Sequence, residues 1–219
     1  EQTADIASIH PDRVLSFNYT NTYERVYGLD KAVEYDYIHG KADLSKNVSS
    51  CNLVLGIDEY LKGSRKASDL EFLPFKKYYQ RIYKSTGNLY LDWVDKIKSG
   101  YAEYLRKVNV AYSGTPDPLQ SFSRQKRYYD VSSIPCPQHT LYIFGHSLDS
   151  TDKDVLKLLI CNENVQAKIF YHRKHIDDKT TLGKQIKNLV KIMGPDELIR
   201  RTGGPHKTIE FIPQSLHED

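Results

Sequence analysis

The chain has few cysteines and none of them forms a close pair. Cys51, Cys136 and Cys161 lie far apart among 219 residues, whereas a structural zinc site usually opens with two cysteines a few residues apart. So small and odd a number favours a reducing compartment over a disulfide-stapled secreted protein. The sequence therefore predicts neither a disulfide framework nor a metal site.

Long apolar runs and an excess of one charge are also missing. No stretch approaches the roughly 20 apolar residues that cross a bilayer, and no charged-then-apolar leader is present. The 31 basic and 28 acidic side chains leave a net charge of +3. A net charge this close to zero does not indicate a nucleic-acid or membrane partner. Basic clusters at 62–66 and 124–127 are typical of exposed loops. We expect a cytoplasmic protein, with nucleic acid and membrane disfavoured as partners.

The length of the chain suits one substantial core. We predict a single domain over residues 1–219. Because the sequence begins at Glu1 rather than at a methionine, we expect the gene product to be longer or processed.

Six short stretches, rich in β-branched and aromatic residues, indicate strands covered on both faces. They are the run containing Val14, Leu15 and Phe17 and the stretches 35–38, 53–57, 140–144, 167–171 and 208–212. Apolar residues at helical spacing indicate helices at 152–161 and 182–193, and 20–24 can start another helix. Strands alternating with helices predict an α/β, Rossmann-like fold, a mostly parallel sheet with helices on both faces.

One block departs from this alternation. Between 72 and 110, aromatic residues are interleaved with lysines and arginines at the spacing of two amphipathic helices, broken near Ser85-Thr86-Gly87. We predict a helical insertion at about 70–110, followed by an irregular loop at 113–138. Basic residues mixed with aromatics also suit a stacking platform for single-stranded nucleic acid. We favour the alternative, in which the tyrosines pack one face and keep their hydroxyls in water.

Three predicted strands finish in small or polar residues. Asn18 follows the first, His39-Gly40 the second, and Gly145-His146-Ser147-Leu148-Asp149 the strand at 140–144. In parallel sheets, ligands bind outside the carboxyl ends of the strands, and a glycine turn before a helix suits ribose hydroxyls or phosphate. We therefore expect the three motifs to meet around one pocket.

Each motif also has a purely structural interpretation. Asn18 can be a turn residue, His39 a packed histidine and Gly145 a turn glycine. Ser147 and Asp149 can act as helix caps. The sequence leaves both interpretations open at each position.

Two further features have local meanings. Gly56-Ile57-Asp58-Glu59 closes a predicted strand with a carboxylate pair, which suits either a ligand contact or a helix cap. Thr151 with Asp154 three residues later fits a capping box.

Four motifs taken in chain order resemble the AbiH family of bacterial abortive-infection proteins against phage. They are Ser16-Phe17-Asn18-Tyr19-Thr20, Ile38-His39-Gly40, Leu55-Gly56-Ile57-Asp58 and Ile143-Phe144-Gly145-His146-Ser147-Leu148-Asp149. The resemblance runs from about residue 13 to 213 and includes tail patterns at 169–172 and 193–198. The family is in turn distantly similar to sirtuin-type NAD-binding domains.

The resemblance implies a site for NAD, as ligand or as substrate, with no metal. It places Asn18 near the nicotinamide ribose, His39 as general base, and Gly145 with Ser147 along the other ribose. The other implied contacts are Tyr19, Thr20, Gly40, Gly56, Asp58, His146 and Asp149. The implied reaction cleaves NAD to nicotinamide and ADP-ribose, which would deplete the cofactor in an infected cell.

Two features depart from the sirtuin pattern. Thr20 stands where NAD-cleaving relatives usually carry an aspartate, and no glycine-rich turn that holds a pyrophosphate precedes Asp12. Either the chain is the carboxyl-terminal part of a longer protein, or its dinucleotide site is incomplete.

Three functions follow as alternatives. The first is an NAD glycohydrolase of phage defence, and the second is a nucleotide sensor or interaction module without catalysis. The third is nucleic-acid binding or cleavage, which the basic cluster at 124–127 permits. The expected partner is a small-molecule nucleotide, and a protein partner or homo-oligomer is left open.

Overall fold

The computed structural model describes residues 4–28, 32–47, 50–56, 71–112 and 133–215. These residues form two compact units, one up to Asp92 and one from Trp93 onward. Each unit contains a parallel β-sheet and α-helices. The predicted α/β class with parallel strands is therefore confirmed, and the single-domain organisation stays a prediction.

The first unit is built on a two-stranded parallel sheet. Its elements are α1 (Ala4–Ala7), β1 (Arg13–Ser16), α2 (Thr22–Val26), β2 (Glu34–Tyr37), a 3₁₀ turn (Leu73–Phe75), α3 (Lys77–Lys84) and the start of α4 (Leu89–Tyr112). Ser16 lies opposite Tyr37 in the register. The boundary between the units falls after the first turn of α4.

The predicted break in the helical insertion is present between α3 and α4. Ser85 caps α3 in the left-handed conformation, with φ 48°. Gly87 also has positive φ, 63°, and a Cβ there would lie 2.6 Å from the Ile38 backbone. Glycine is therefore required at position 87 both for its conformation and for close packing on the end of β2.

The start of α4 is tied to β2 by a buried carboxylate. Asp36 is 7% exposed, and its Oδ2 accepts a hydrogen bond of 2.8 Å from the Tyr90 backbone N–H. The first N–H groups of a helix lack intrahelical partners, and the helix dipole favours a negative charge there. Asp36 thus caps a helix that begins more than 50 residues later in the chain.

The predicted strand at 53–57 is wrong for its described part, 53–56, which has no regular structure, and Ile57 lies outside the described residues. Two side chains of α3 form hydrogen bonds with backbone groups of this segment. In a strand, those backbone groups would pair with a neighbouring strand instead. Gln80 Oε1 accepts from the Leu55 N–H at 2.9 Å, and Lys84 Nζ donates to the Leu53 carbonyl. The apolar run could not reveal these long-range side-chain contacts.

The second unit is built on a three-stranded parallel sheet with the order β3-β4-β5. Its strands are β3 (His139–Ile143), β4 (Val165–Tyr171) and β5 (Ile209–Pro213). Its helices, besides the rest of α4, are α5 (Lys153–Ile160), α6 (Thr180–Met193) and α7 (Pro195–Thr202), with 3₁₀ turns at Ser150–Asp152 and Gly204–His206. The helices predicted at 152–161 and 182–193 are confirmed as α5 and α6.

Apolar side chains from the middle strand and the helices form the core of the second unit. Ile169 of β4, Ile160 of α5 and Leu189 of α6 are fully buried. Val165 and Ala167, also on β4, are buried as well. The strand alternates buried and less buried residues at 165–168 and is continuously apolar at 169–171, where it resembles the covered strands of parallel sheets.

A buried arginine organises the polar side of this unit. Arg201 of α7 is 2% exposed and donates to Glu197 at 2.5 Å, to Glu163 at 2.6 Å and to the Thr208 hydroxyl at 3.1 Å. Arg200 donates to Glu197 at 2.7 Å and to Glu163 at 3.0 Å. Hydrogen bonds from Arg200, and then from Arg201, lower the pKa of Glu197 to about 2. The cluster joins the turn before β4 to α7.

The predicted capping box of Thr151 and Asp154 is wrong. Asp149 is the capping residue, because its carboxylate accepts a 3.0 Å hydrogen bond from the Thr151 N–H. The chain enters α5 through the 3₁₀ turn, which moves the cap upstream of Thr151. The alternative interpretation of Asp149 as a cap is therefore confirmed.

Several predicted features lie wholly or partly outside the described residues. Both basic clusters, 62–66 and 124–127, fall there, as does most of the loop predicted at 113–138, whose described end, 133–138, is irregular. Within the described ranges, no helix is long and apolar enough to cross a bilayer.

Candidate functional site

Asn18 and His39 occupy equivalent positions at one edge of the first sheet. Each follows the end of its strand by two residues, and the strands are parallel with Ser16 opposite Tyr37. The pairing continues past the strand ends, since the Ile38 N–H donates to the Ser16 carbonyl at 2.9 Å. Parallel pairing therefore brings these two predicted residues to the same carboxyl edge, where ligands of such sheets bind.

His39 lies beneath an aromatic cover. It is 7% exposed, and its ring contacts Phe17 edge-on at 6.0 Å and Tyr19 at 6.2 Å between centroids. The His39 carbonyl accepts from the Val54 N–H at 2.8 Å, and the Tyr19 hydroxyl donates to the Val54 carbonyl, also at 2.8 Å. The imidazole is thus close to the edge but enclosed by the residues on either side of Asn18.

Polar groups of the Asn18 turn face solvent. Asn18, Tyr19 and Thr20 are all exposed. The Ser16 hydroxyl bonds both the N–H and the carbonyl of Asn18, which shapes the turn, and the Thr20 hydroxyl lies 3.0 Å from that of Thr22. The predicted turn role of Asn18 is confirmed, and its side chain remains available at the surface.

Two predicted glycines are explained by packing. Gly40 has φ 78°, and a Cβ there would lie 2.2 Å from the Asn52 carbonyl oxygen. At Gly56, a Cβ would lie 2.6 Å from the Lys77 backbone nitrogen at the start of α3. The close neighbour of each glycine is therefore the chain itself.

A charged cluster that sequence reasoning missed lies next to His39-Gly40. Lys41 Nζ donates to Glu24 of α2 at 2.7 Å and lies 5.4 Å from the centre of the Tyr37 ring. The Tyr37 hydroxyl also donates to Glu24, at 3.1 Å. The hydrogen bond from Lys41 lowers the pKa of Glu24, while burial and the bond to Glu24 raise the pKa of Tyr37. No local pattern links these three positions, since they meet only through the fold.

The second unit has its own carboxyl edge, at the bend after β3. Gly145 has φ 62°, and a Cβ there would meet nothing within 4 Å. Leu148 also has positive φ, 57°, and its side chain is fully buried. Gly145 thus combines its turn conformation with open space, as a ligand contact requires.

His146 shapes this bend. Its Nδ1 accepts a 2.9 Å hydrogen bond from the Leu148 N–H, so the neutral ring carries its proton on Nε2. Nε2 lies 3.9 Å from Asp152 Oδ2, and both side chains are 13% exposed. In this form, neither ring nitrogen offers a lone pair to a ligand.

Two amides of α6, both missed by sequence reasoning, fix the bend from the other side. Gln185 is 2% exposed and donates to the His146 and Phe170 carbonyls at 3.2 and 3.3 Å. Asn188 donates to the Ser147 carbonyl at 2.9 Å. The sequence indicates these two amides only weakly, as polar residues three positions apart in a helix that has an apolar face.

The predicted residues therefore fall into two local groups. The structure brings Asn18, Tyr19, His39 and Gly40 together in the first unit. Residues 145–149 form one bend in the second unit. Asp58 lies outside the described residues, and the prediction that both groups line one pocket stays a prediction. No group of three metal-ligating side chains occurs within the described part of the chain.

A family comparison agrees with the motifs. A sequence model described as bacteriophage abortive infection AbiH matches residues 1–172, which includes both groups of predicted site residues but not the tail pattern at 193–198. Neither the curated proteins nor the solved structures gave a match to this chain. Since the match covers most of the chain, the protein belongs to the AbiH family of bacteriophage abortive infection.

Proposed function

We propose that this abortive-infection protein binds an NAD-type nucleotide at the carboxyl edge of the β1–β2 sheet. The observation that carries the proposal is the placement of Asn18 and His39 at matched positions after two paired parallel strands. Ligands of parallel α/β sheets bind at this edge. The ligand class comes from the resemblance of the sequence motifs, through the family, to sirtuin-type domains.

The exposed side chains at this edge suit a ribose and a phosphate. The Asn18 amide and the Thr20 hydroxyl both donate and accept hydrogen bonds, as sugar hydroxyls require. Lys41 supplies a cation, and its pair with Glu24 is 39% exposed on both sides. Because an exposed ion pair contributes little, the flexible Lys41 side chain can turn from Glu24 to a bound phosphate at small cost.

The bend at 145–149 is a second candidate ligand contact, taken within the second unit alone. Gly145 is open to a close backbone approach, and Ser147 and Asp149 follow it. By the resemblance of the motifs, Gly145 and Ser147 are the candidate ribose contacts of this bend. His146 contributes by holding the bend, since its Nδ1 is bonded to the chain itself.

Hydrolysis of the bound nucleotide is the first candidate activity. His39 would accept a proton from the attacking water, while Asn18 would hold the water and the ribose in line. At 7% exposure beneath Phe17 and Tyr19, the imidazole meets water only when the Tyr19 ring moves aside. Hydrolysis therefore requires a rearrangement that the nucleotide itself would have to induce.

Binding without catalysis is the second candidate, and the burial of His39 favours it. In that case His39 packs beneath the edge and stabilises it. The bound nucleotide is then what the protein senses. Thr20 agrees with this candidate, because it places a hydroxyl where the cleaving relatives usually carry a carboxylate. The two candidates share a binding site and differ only in turnover.

One experiment separates them. The purified chain is titrated with NAD by calorimetry and incubated with NAD while nicotinamide release is followed by chromatography. Asn18→Ala and Lys41→Ala are expected to weaken binding, whereas Lys46→Ala, which removes an exposed lysine paired with Asp43 on the same loop, is the matched control.

The His39 variant decides between the candidates. For a hydrolase, His39→Ala lowers nicotinamide release by a factor of about 10² to 10⁴ with binding retained. For a sensor, the parent binds NAD and releases no nicotinamide. Absence of heat with both NAD and ADP-ribose would reject the proposed site.

A further inference from the structure

Helix α3 presents an apolar face to solvent. Tyr78 is 51% exposed, Ile82 76% and Tyr83 77%, and Phe75 in the preceding turn is 57% exposed. Tyr78 and Ile82 lie one helical turn apart and share one side of α3, while Phe75 belongs to the turn that precedes the helix. We call these four side chains the outer face. The exposures of Tyr78 and Tyr83 contradict the prediction that the tyrosines of the helical insertion pack one face, whereas Tyr90 at the start of α4 is buried.

The polar side of the same helix points inward. Gln80 bonds the Leu55 N–H, Arg81 donates to the Gly87 carbonyl, and Lys84 donates to another backbone carbonyl. These bonds fix the rotation of the helix about its axis. The outer face cannot turn inward unless they break, and a surface helix normally has the opposite orientation.

We propose that the outer face docks against the same face of a second copy of this chain. Scaled by their exposed fractions, the four side chains leave on the order of 500 Å² of apolar surface in water, against about 800 Å² per partner in a standard interface. Phe72, at 39% exposure, extends the patch. An interface of this size gives a reversible dimer that forms with increasing concentration.

The charge distribution favours a second copy over nucleic acid. Helix α3 carries no acidic side chain, and Arg81 and Lys84 are directed to backbone carbonyls on the inner side. Lys77 is the third cation of α3, so one cation of each helix repels the other copy. A nucleic-acid platform needs cations beside the rings, to follow the phosphates.

Two-fold symmetry makes the contact self-complementary. In an isologous dimer, residue i meets residue j and j meets i. With the two helices antiparallel, Ile82 packs against Tyr78 of the partner subunit, and the reverse contact forms across the axis. One apolar stripe thus supplies both halves of the interface.

Sedimentation velocity of the whole chain over a range of concentrations tests the proposal. The expected result is a shift from 25.3 kDa to twice that mass. Ile82→Glu is expected to weaken the dimer at least about tenfold, because a carboxylate would have to be buried without a partner. Ile199→Glu is the matched control, since Ile199 is 69% exposed on α7 and its replacement should leave the dimer intact.

Circular dichroism checks that the variants remain folded, and Tyr83→Asp must reproduce the Ile82→Glu result. A parent chain that is monomeric at every concentration overturns the proposal. So does a dimer that both variants leave unchanged. Flotation of a monomeric parent with phosphatidylcholine vesicles, or its binding to a labelled single-stranded RNA, would assign the outer face to another occupant and also reject the proposal.

Discussion

The two units differ in what buries their parallel strands. Among the described residues, fifteen apolar side chains are buried in the second unit and three in the first, which are Ile38, Val54 and Tyr90. The first unit relies instead on polar contacts between distant parts of its chain, such as Asp36 to the Tyr90 N–H and Gln80 to the Leu55 N–H. Since apolar burial is the main favourable contribution to folding, we expect the second unit to be the more stable one.

This difference bears on the candidate site. Regions with few buried apolar contacts open at low free-energy cost, and binding segments are commonly drawn from them. Asn18 and His39 belong to the first unit, where the rings of Phe17 and Tyr19 lie against the imidazole. The bend at 145–149 is instead fixed onto the well-packed second unit through Gln185.

Removing Arg201 is expected to cause the largest loss. Arg201→Ala should lower the free energy of unfolding of the second unit by about 4 kcal/mol, because it leaves a void at a buried side chain and removes the donor of the buried Thr208 hydroxyl. Urea unfolding followed by the fluorescence of Trp93, the single tryptophan, which is 5% exposed in this unit, measures the effect. Arg200→Ala removes a more exposed guanidinium from the same cluster and should cost much less. Equal losses would contradict the central role of Arg201.

A cavity in the core of the second unit is expected to have the next largest effect. Leu189→Ala should cost about 3 kcal/mol, because Leu189 is fully buried and its removal leaves a void. Ile186→Ala, on the same helix at 38% exposure, should cost less than half of that. The same urea and fluorescence measurement applies. A small loss at Leu189 would remove the basis of the comparison between the units.

In the first unit, the cap on α4 is expected to have a smaller effect. Asp36→Ala should destabilise this unit by about 1–2 kcal/mol, since the Tyr90 N–H loses its acceptor and the helix dipole its anion. Hydrogen exchange of peptides from β2 and the start of α4 should then be faster. Asp92→Ala, an exposed acid in the same helical turn, is the control. Unchanged exchange in Asp36→Ala would show that the cap carries no stability.

Protonation of Glu197 by acid is expected to have the smallest effect, and this contribution lies in the second unit. Glu197 has a folded pKa of about 2 against an ordinary value of 4.5. Its contribution is therefore complete above pH 4.5 and is lost as the pH falls from 4.5 to about 2. Thermal unfolding across this range, read from Trp93, should show a steeper fall in the parent than in Glu197→Gln. Parallel curves would exclude Glu197 as a source of the acid dependence.

Local patterns in the sequence predicted much of the fold. The helices at 153–160 and 180–193 and the break at Ser85–Gly87 follow from spacing and turn residues, which act over a few positions. The failed strand at 53–56 has the same apolar character as the true strands, and side chains of α3, about 25 residues away, decide its structure. Apolar periodicity carries no information about such contacts.

The candidate site divides in the same way. Asn18, His39 and Gly145 could be chosen because strand ends are visible in the sequence. The Glu24–Lys41 pair and the amide of Gln185 could not, since each joins segments whose approach depends on the fold. The outer face of α3 was also beyond prediction, because helical spacing identifies an apolar stripe without saying whether the protein or the solvent meets it.

Two contacts hold together the ends of the chain segment that runs from β2 to α4. The carboxylate of Asp36 holds the Tyr90 N–H, and Gly87 lies directly against Ile38. The entropic cost of closing a loop rises only slowly with the number of residues in the loop. Changes of length between these anchors that keep the contacts of His39, Gly40 and Gly56 therefore add little to the cost of folding, and the strand end that carries His39 keeps its position.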